Sequence, residues 1–185
     1  LFRSISHELS KLSCSKQWVV ALTYTNRAAD EIHERIEALG VDTSQLWIGT
    51  IHSFCLEWIL KPYHIYLPQL AHGFRLIDQH DAEVILTKLC APYSGSGLSV
   101  TYWDCGYYVK GDGYHLTCLN DQKHATVKKI LQAYFKILKD NRQIDFELLL
   151  YYAHKLISKN SSIPKLLSNL FSFILIDEYQ DTKEI

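Results

Sequence analysis

Three short, unbroken apolar runs punctuate the chain: Trp18-Val19-Val20-Ala21-Leu22, Leu46-Trp47-Ile48 and Phe173-Ile174-Leu175-Ile176. The last predicts a strand buried on both faces, as in a parallel sheet covered by helices, the first a second buried strand, and the middle one a third strand. Around them the apolar period lengthens to that of a helix. Leu1, Phe2, Ile5, Leu9 and Leu12 predict an amphipathic opening helix. Ala28, Ala29, Ile32, Ile36 and Leu39 predict a second, capped by Thr25 or Asn26 and ended by Gly40. A third helix is predicted to follow Thr50 and run to about Leu60. Strands alternating with helices in this way predict βαβ units sharing one crevice.

The pattern changes after the prolines at 62 and 68, which bracket an aromatic connection (Tyr63, His64, Tyr66). Asp78 precedes a helix with Ala82, Ile85, Leu86 and Leu89 facing inward. The least helical stretch runs from Leu98 to Leu119, centred on Lys110-Gly111-Asp112-Gly113, which suits a two-residue hairpin turn. In that register Cys105, Tyr107 and Val109 share a face with Tyr114, Leu116 and Cys118, so Cys105 is expected opposite Cys118. Two thiols are expected in a reducing compartment, a bridge being the alternative and zinc with His115 or His124 the outsider. Lys123 to Lys139 predicts a helix with a basic outer face, and helices follow from about Asp145 to Ile157 and from Pro164 to Leu170.

Composition narrows the class. The chain has 185 residues, 48% hydrophobic and 21% charged, which suits one sizeable globular domain or a domain with an insertion. No apolar run approaches the ~18 residues of a membrane span, and Leu1-Phe2-Arg3-Ser4 lacks a signal peptide's apolar core, so a cytoplasmic or nuclear location is expected. A first residue that is Leu rather than Met leads us to expect a piece of something longer. The five cysteines form no C-x-x-C pair, which argues against a disulfide framework and a structural zinc site. A net charge of −1 is not the field of a protein that grips nucleic acid by bulk electrostatics, so any such contact must be local.

The chemistry gathers where the apolar runs end. After Ile176 the polarity flips to Asp177, Glu178, Gln180 and Asp181. Two adjacent carboxylates at a strand end suit metal-assisted phosphate chemistry, one holding a largely hydrated Mg²⁺ and the other orienting a water. The bland alternative is an acidic strand end that merely meets solvent. After Thr23 the run becomes Tyr24-Thr25-Asn26-Arg27 and opens a helix, whose N-terminal amides suit an anion such as a phosphodiester. After Gly49 come Thr50, His52 and Ser53.

Three of these segments, in order, resemble the UvrD/Rep family of superfamily 1 helicases: Thr23-Tyr24-Thr25-Asn26-Arg27-Ala28-Ala29-Asp30-Glu31-Ile32, Gly49-Thr50-Ile51-His52-Ser53-Phe54, and Asp177-Glu178-Tyr179-Gln180-Asp181. They are similar to the family's motifs Ia, Ib and II, and Ile144-Asp145-Phe146-Glu147-Leu148-Leu149 is a softer match to its L-D-F-D-D-L-L, with Leu148 where an acid is usual. Residues from about 91 to 121 have no counterpart in the pattern. The resemblance implies an α/β fold: a partial P-loop NTPase (RecA-like) parallel sheet with helices on both faces, plus an inserted, mostly helical subdomain carrying the β-hairpin. The core is expected over roughly 1–62 and 144–185, the insertion over 63–143. The implied parent is an ATP-dependent 3′→5′ DNA helicase and single-strand translocase using ATP and Mg²⁺. Asp177 would coordinate the metal, Glu178 activate the attacking water, and Gln180 lie near the γ-phosphate and couple hydrolysis to domain motion. Thr23, Tyr24, Asn26, Thr50 and His52 would line the single-stranded DNA track, with Tyr24, and less securely Tyr63 or Tyr66, offering base stacking.

None of the eight glycines lies in a G-x-x-x-x-G-K-[ST] loop, which the family places just before a helix like the opening one. The loop is therefore expected upstream of Leu1 and the second motor domain downstream, which makes the 185 residues inactive alone. The implied partners are single-stranded DNA, single-/double-strand junctions and a possible nuclease or repair protein, and no membrane. Two other readings stay open: a non-hydrolysing DNA-binding or assembly subunit partnered with a nuclease, and an unrelated Mg²⁺-dependent phosphohydrolase.

Overall fold

The computed structural model describes residues 1–95, 98–111 and 113–177. In chain order the helices are α1 (Phe2–Ser10), α2 (Asn26–Ala38), α3 (Ile51–Phe54), α4 (Lys61–Tyr63), α5 (Gln79–Cys90), α6 (His124–Asp140), α7 (Phe146–Lys159) and α8 (Ser162–Leu170). The strands are β1 (Trp18–Thr23), β2 (Leu46–Thr50), β3 (Arg75–Leu76), β4 (Tyr107–Lys110), β5 (Gly113–Leu116), β6 (Gln143–Ile144) and β7 (Phe171–Ile176). The chain divides into two units. One is Leu1–Lys61 with the described residues from Lys155 to Asp177; the other is Pro62–His154, so residues 144–154 group with the second unit.

In the first unit three parallel strands lie in the order β2-β1-β7. Val19, Val20 and Ala21 of the central strand are fully buried, and a fully buried aliphatic side chain contributes roughly 1.5–3 kcal/mol. On one face Val19 and Ala21 pack with Ile5 of α1 and with Ile32 and Ile36 of α2, joined by Phe173 and Leu175. On the other, Trp18, Trp47, Phe54, Trp58 and Phe171 form an aromatic group with ring centroids 5.1–5.7 Å apart. Phe171 and Phe173 would share a face in a regular strand. The register of β7 against β1 shifts between Trp18 and Val19, and Ser172 takes up the extra residue, its hydroxyl donating to Trp18 O at 3.2 Å. The shift turns Phe171 to the aromatic side.

The expectation that the last strand is buried on both faces does not hold. Ile174 and Ile176 are 46% and 41% exposed. Among the described residues β7 has β1 as its one neighbour, and the aromatic group covers that side of the strand only near Phe171.

The helix after β2 continues past Leu60. Cys55–Leu60 winds as a π-helix between α3 and α4, and the Lys61 amide bonds back to Leu56 O. Pro62 accounts for this: in a regular α-helix its ring would strike the carbonyl four residues earlier, and it has no amide to donate.

The second unit has its own core, in which Ile77 and Leu86 meet Val127, Leu131, Tyr134 and Leu138 of α6. The hairpin has the expected register, with Tyr107 opposite Leu116 and Val109 opposite Tyr114. The expected pairing of Cys105 with Cys118 is corrected. The chain leaves the strand at Gly106, and Tyr102–Cys105 coils into a 3-10 turn closed by the Thr101/Asp104 capping box. Cys105 Sγ then lies 3.6 Å from Cys90 Sγ, while Cys118 lies 3.8 Å from Asp104 Oδ1, and all five thiols are free. A side chain at 106 would meet the Thr117 hydroxyl, so a larger residue at the open end of the hairpin needs that hydroxyl to turn away. His115 stacks on Tyr108, and His124 Nε2 bonds to the carbonyl of Cys118.

Beneath the hairpin, the buried carboxylate of Asp145 accepts from Tyr107 Oη at 2.7 and 2.9 Å, from Tyr134 Oη at 2.7 Å and from the Leu148 amide at 3.0 Å, capping α7. Burial first, then the Asp145 charge, hold both phenols well above the usual tyrosine range. Burial also pushes the Cys55 thiol up to about 12. Unfolded thiols and phenols titrate near pH ~8.5 and ~10, so in alkali the unfolded chain binds fewer protons and stability falls as pH rises. Urea titrations should show this decline beginning above pH ~8.5 and steepening above ~10. In the Tyr107→Phe/Tyr134→Phe double variant the second phase should be much shallower, Tyr102 being the remaining phenol held above its usual range. An equal slope in both proteins would refute the assignment to these phenols.

Candidate functional site

Parallel pairing brings the three polar strand ends to one edge of the sheet. Thr23 at the end of β1 stands in register with Thr50 at the end of β2. On the other side Leu22 pairs with Ile176, and the Asp177 amide continues the ladder to Leu22 O at 2.8 Å. With neighbouring strands about 4.8 Å apart, the three ends span roughly 10 Å. Asp177 is half-buried, its main chain fixed by the sheet and its side chain at the rim. Glu178 and Gln180 lie outside the described residues.

The turn from β1 into α2 is built by two threonines. Thr23 is buried, and its hydroxyl donates to Thr25 O at 2.9 Å, so its proton is committed within the turn. Thr25 is the cap: its hydroxyl accepts from the Ala28 amide at 3.2 Å, and its carbonyl accepts from Ala29 at 3.1 Å. The helix geometry leaves the amides of Asn26 and Arg27 at the positive end of the dipole for an external acceptor. Tyr24, Asn26 and Arg27 are all exposed, Tyr24 to 66%. The exposed guanidinium of Arg27, a residue of the motif with no role among the expected site residues, adds charge to that end.

The turn from β2 into α3 repeats the design. Thr50 Oγ1 accepts from the Ser53 amide at 3.2 Å and lies 3.0 Å from Ser53 Oγ. His52 sits half-buried in that first turn. Gly49, one residue earlier, lets Trp47 fold over the strand, since a Cβ there would lie 2.6 Å from the indole ring. Tyr63 and Tyr66 fall in the second unit, Tyr63 half-buried and Tyr66 60% exposed. Asp145 of the softer motif is likewise in the second unit, where it holds two phenols and a helix start. An Asp directly before an apolar helix is the signal for that cap.

Among the described residues no group of three His, Cys, Asp or Glu side chains is gathered as metal ligands would be. None of their helices is long and apolar enough to cross a membrane. The arrangement is that of an α/β domain whose parallel strands deliver an acid, two capped helix starts and an exposed aromatic ring to one rim.

Comparison with known proteins then places it. The chain belongs to the UvrD/REP helicase N-terminal domain family, which it matches over residues 1–185. It is 29% identical to DNA helicase II of Escherichia coli (strain K12), with 100% of this chain and 26% of that protein covered. It is 26% identical to ATP-dependent DNA helicase PcrA of Bacillus subtilis (strain 168), over 97% of this chain and 26% of the relative. With ATP-dependent DNA helicase SRS2 of Saccharomyces cerevisiae the identity is 27%, over 90% of this chain and 16% of the relative. The chain thus spans about a quarter or less of the length of these relatives.

Replacing Thr25 with alanine removes the α2 cap and should cost about 1 kcal/mol in urea unfolding, against about 0.5 kcal/mol or less for Arg27→Ala. Equal effects would refute the capping role.

Proposed function

We propose that this chain is the phosphate-handling half of an ATP-dependent 3′→5′ DNA helicase and single-strand translocase, folded as part of a RecA-like P-loop motor core with an inserted subdomain. The observation that carries the reading is the alignment of Thr23, Thr50 and Asp177 across three adjacent parallel strands. In such sheets the ligand crevice lies outside the carboxyl ends. Asp177 fits one carboxylate of a largely hydrated Mg²⁺ accompanying ATP: it stands at the rim, partly open to solvent, on a main chain the sheet holds still. Glu178 then activates the attacking water, and Gln180 couples the γ-phosphate to domain motion.

Single-stranded DNA lies along the neighbouring strand ends in this reading. The Asn26 and Arg27 amides take a backbone phosphate, Tyr24 stacks on a base, and Thr50 and His52 continue the track. The relatives named as DNA helicases support the substrate class. No G-x-x-x-x-G-K-[ST] loop occurs among the 185 residues, so the chain alone is proposed to bind DNA without hydrolysing ATP.

Fluorescence anisotropy with labelled oligodeoxythymidylate tests this. Tyr24→Ala should weaken binding by about tenfold, the order expected for one lost base stack, and Asn26→Ala and His52→Ala should each weaken it measurably. Affinity unchanged in all three would remove the track. DNA-stimulated ATP hydrolysis by the purified chain would overturn the proposed inactivity.

A further inference from the structure

The second unit holds an open cavity of about 380 Å³ that the rim chemistry does not use. Its walls come from α5, the 3-10 turn at 102–105, the start of α7, and Tyr107 and Tyr134. Two features set it apart from an ordinary surface dimple. Its lip carries Trp103, 73% exposed, tilted against Tyr102 with ring centroids 4.5 Å apart. The 3-10 turn holds this pair in place: the Thr101/Asp104 capping box closes it, and Asp104 is paired to Lys123 at 2.9 Å. An indole so exposed yet so firmly positioned is a ready contact surface.

The second feature is charge. The described lining residues include the acids Asp78, Glu83 and Asp145 and no Lys, Arg or His. The nearby Lys123 is already paired to Asp104. Asp145 is 8% exposed, and its partners are two phenols and an amide, all neutral. A buried carboxylate solvated by neutral donors still projects negative potential, because hydrogen bonds disperse a charge without cancelling it. Aromatic faces add to this, since their π-faces are also negative. A nucleic acid strand would bring phosphate to the same sign of potential and is disfavoured here.

We propose that this cavity is a docking site for a basic segment of a partner protein, an arginine or lysine side chain lying over Trp103 with its charged end directed toward the acids of the cavity. The aliphatic stem covers the apolar wall and the cation meets both the π-face and the carboxylates. The site lies wholly within the second unit and does not depend on the reading of the strand-end rim.

The test uses the full 185-residue chain and a fluorescein-labelled arginine–glycine repeat peptide, with the citrulline–glycine counterpart as the uncharged control. Anisotropy should report binding of the arginine peptide and none of the citrulline peptide. Trp103→Ala and Glu83→Gln should each weaken it by about fivefold, and Trp103→Phe by less. Both positions reach solvent, so unfolding midpoints near the parent value are expected and show that the fold is kept. Oligodeoxythymidylate binding should be unchanged in these variants. Four results would overturn the proposal: no binding of the arginine peptide, equal binding of the citrulline peptide, parent affinity in both Trp103→Ala and Glu83→Gln, or loss of oligodeoxythymidylate binding in them, which would make the face a DNA surface.

Discussion

The hydrogen-bond ladder on both sides of β1 is the constraint on which the first unit rests. Every residue from Val19 to Thr23 is buried, so this strand meets solvent on neither face and shares its amides and carbonyls with β2 and β7. A slip of one residue would exchange its two faces, moving Val19 and Ala21 off the helices and onto the aromatic group. It would also separate Thr23 from Thr50 and draw Asp177 away from Leu22 O. The irregularity at Ser172 serves the same end, seating Phe171 with Trp58 and Phe54 while Phe173 and Leu175 face α1 and α2.

Much of this is legible in the residues themselves. The strands lie where the apolar runs put them because a run too short for a helix still buries most of its side chains when it pairs in a sheet covered by helices. The α2 boundaries follow from Thr25 and Gly40, whose chemistry is local: a hydroxyl that reaches an amide, and a glycine at φ 67°. Three features were hidden. The exposure of Ile174 and Ile176 depends on what lies beside β7, which a run of apolar letters does not encode. The partner of Cys105 does not follow from continuing the hairpin register past Gly106, because Thr101 and Asp104 form a capping box that turns the chain away. The π-helical turn came from Pro62, whose effect is felt four residues upstream. At the rim, the placement of Thr23, Thr50 and Asp177 follows from strand order, and the commitment of the Thr23 hydroxyl to Thr25 is visible only in three dimensions.

The two units treat negative charge in opposite ways. At the sheet edge the start of α2 offers amides, a dipole end and Arg27, all suited to an anion. In the second unit Asp145 sits among phenols too deeply buried to ionise readily, and the cavity above it is lined by further acids. A chain with net charge −1 can therefore carry an edge whose groups suit an anion and a hollow whose groups suit a cation, because sign is distributed locally while the sum says little.

The wide turn at Cys55–Leu60 has a consequence for register. A π-turn contains about one residue more than an α-turn, so the side chain of Lys61 is rotated by roughly 100° from where an uninterrupted helix beginning at Ile51 would carry it. Shortening that segment by a single position would restore an ordinary spiral in length, while the ring at position 62 would still press on the carbonyl behind it. The proline and the surplus residue are two halves of one accommodation, and neither can be removed alone without cost to the other.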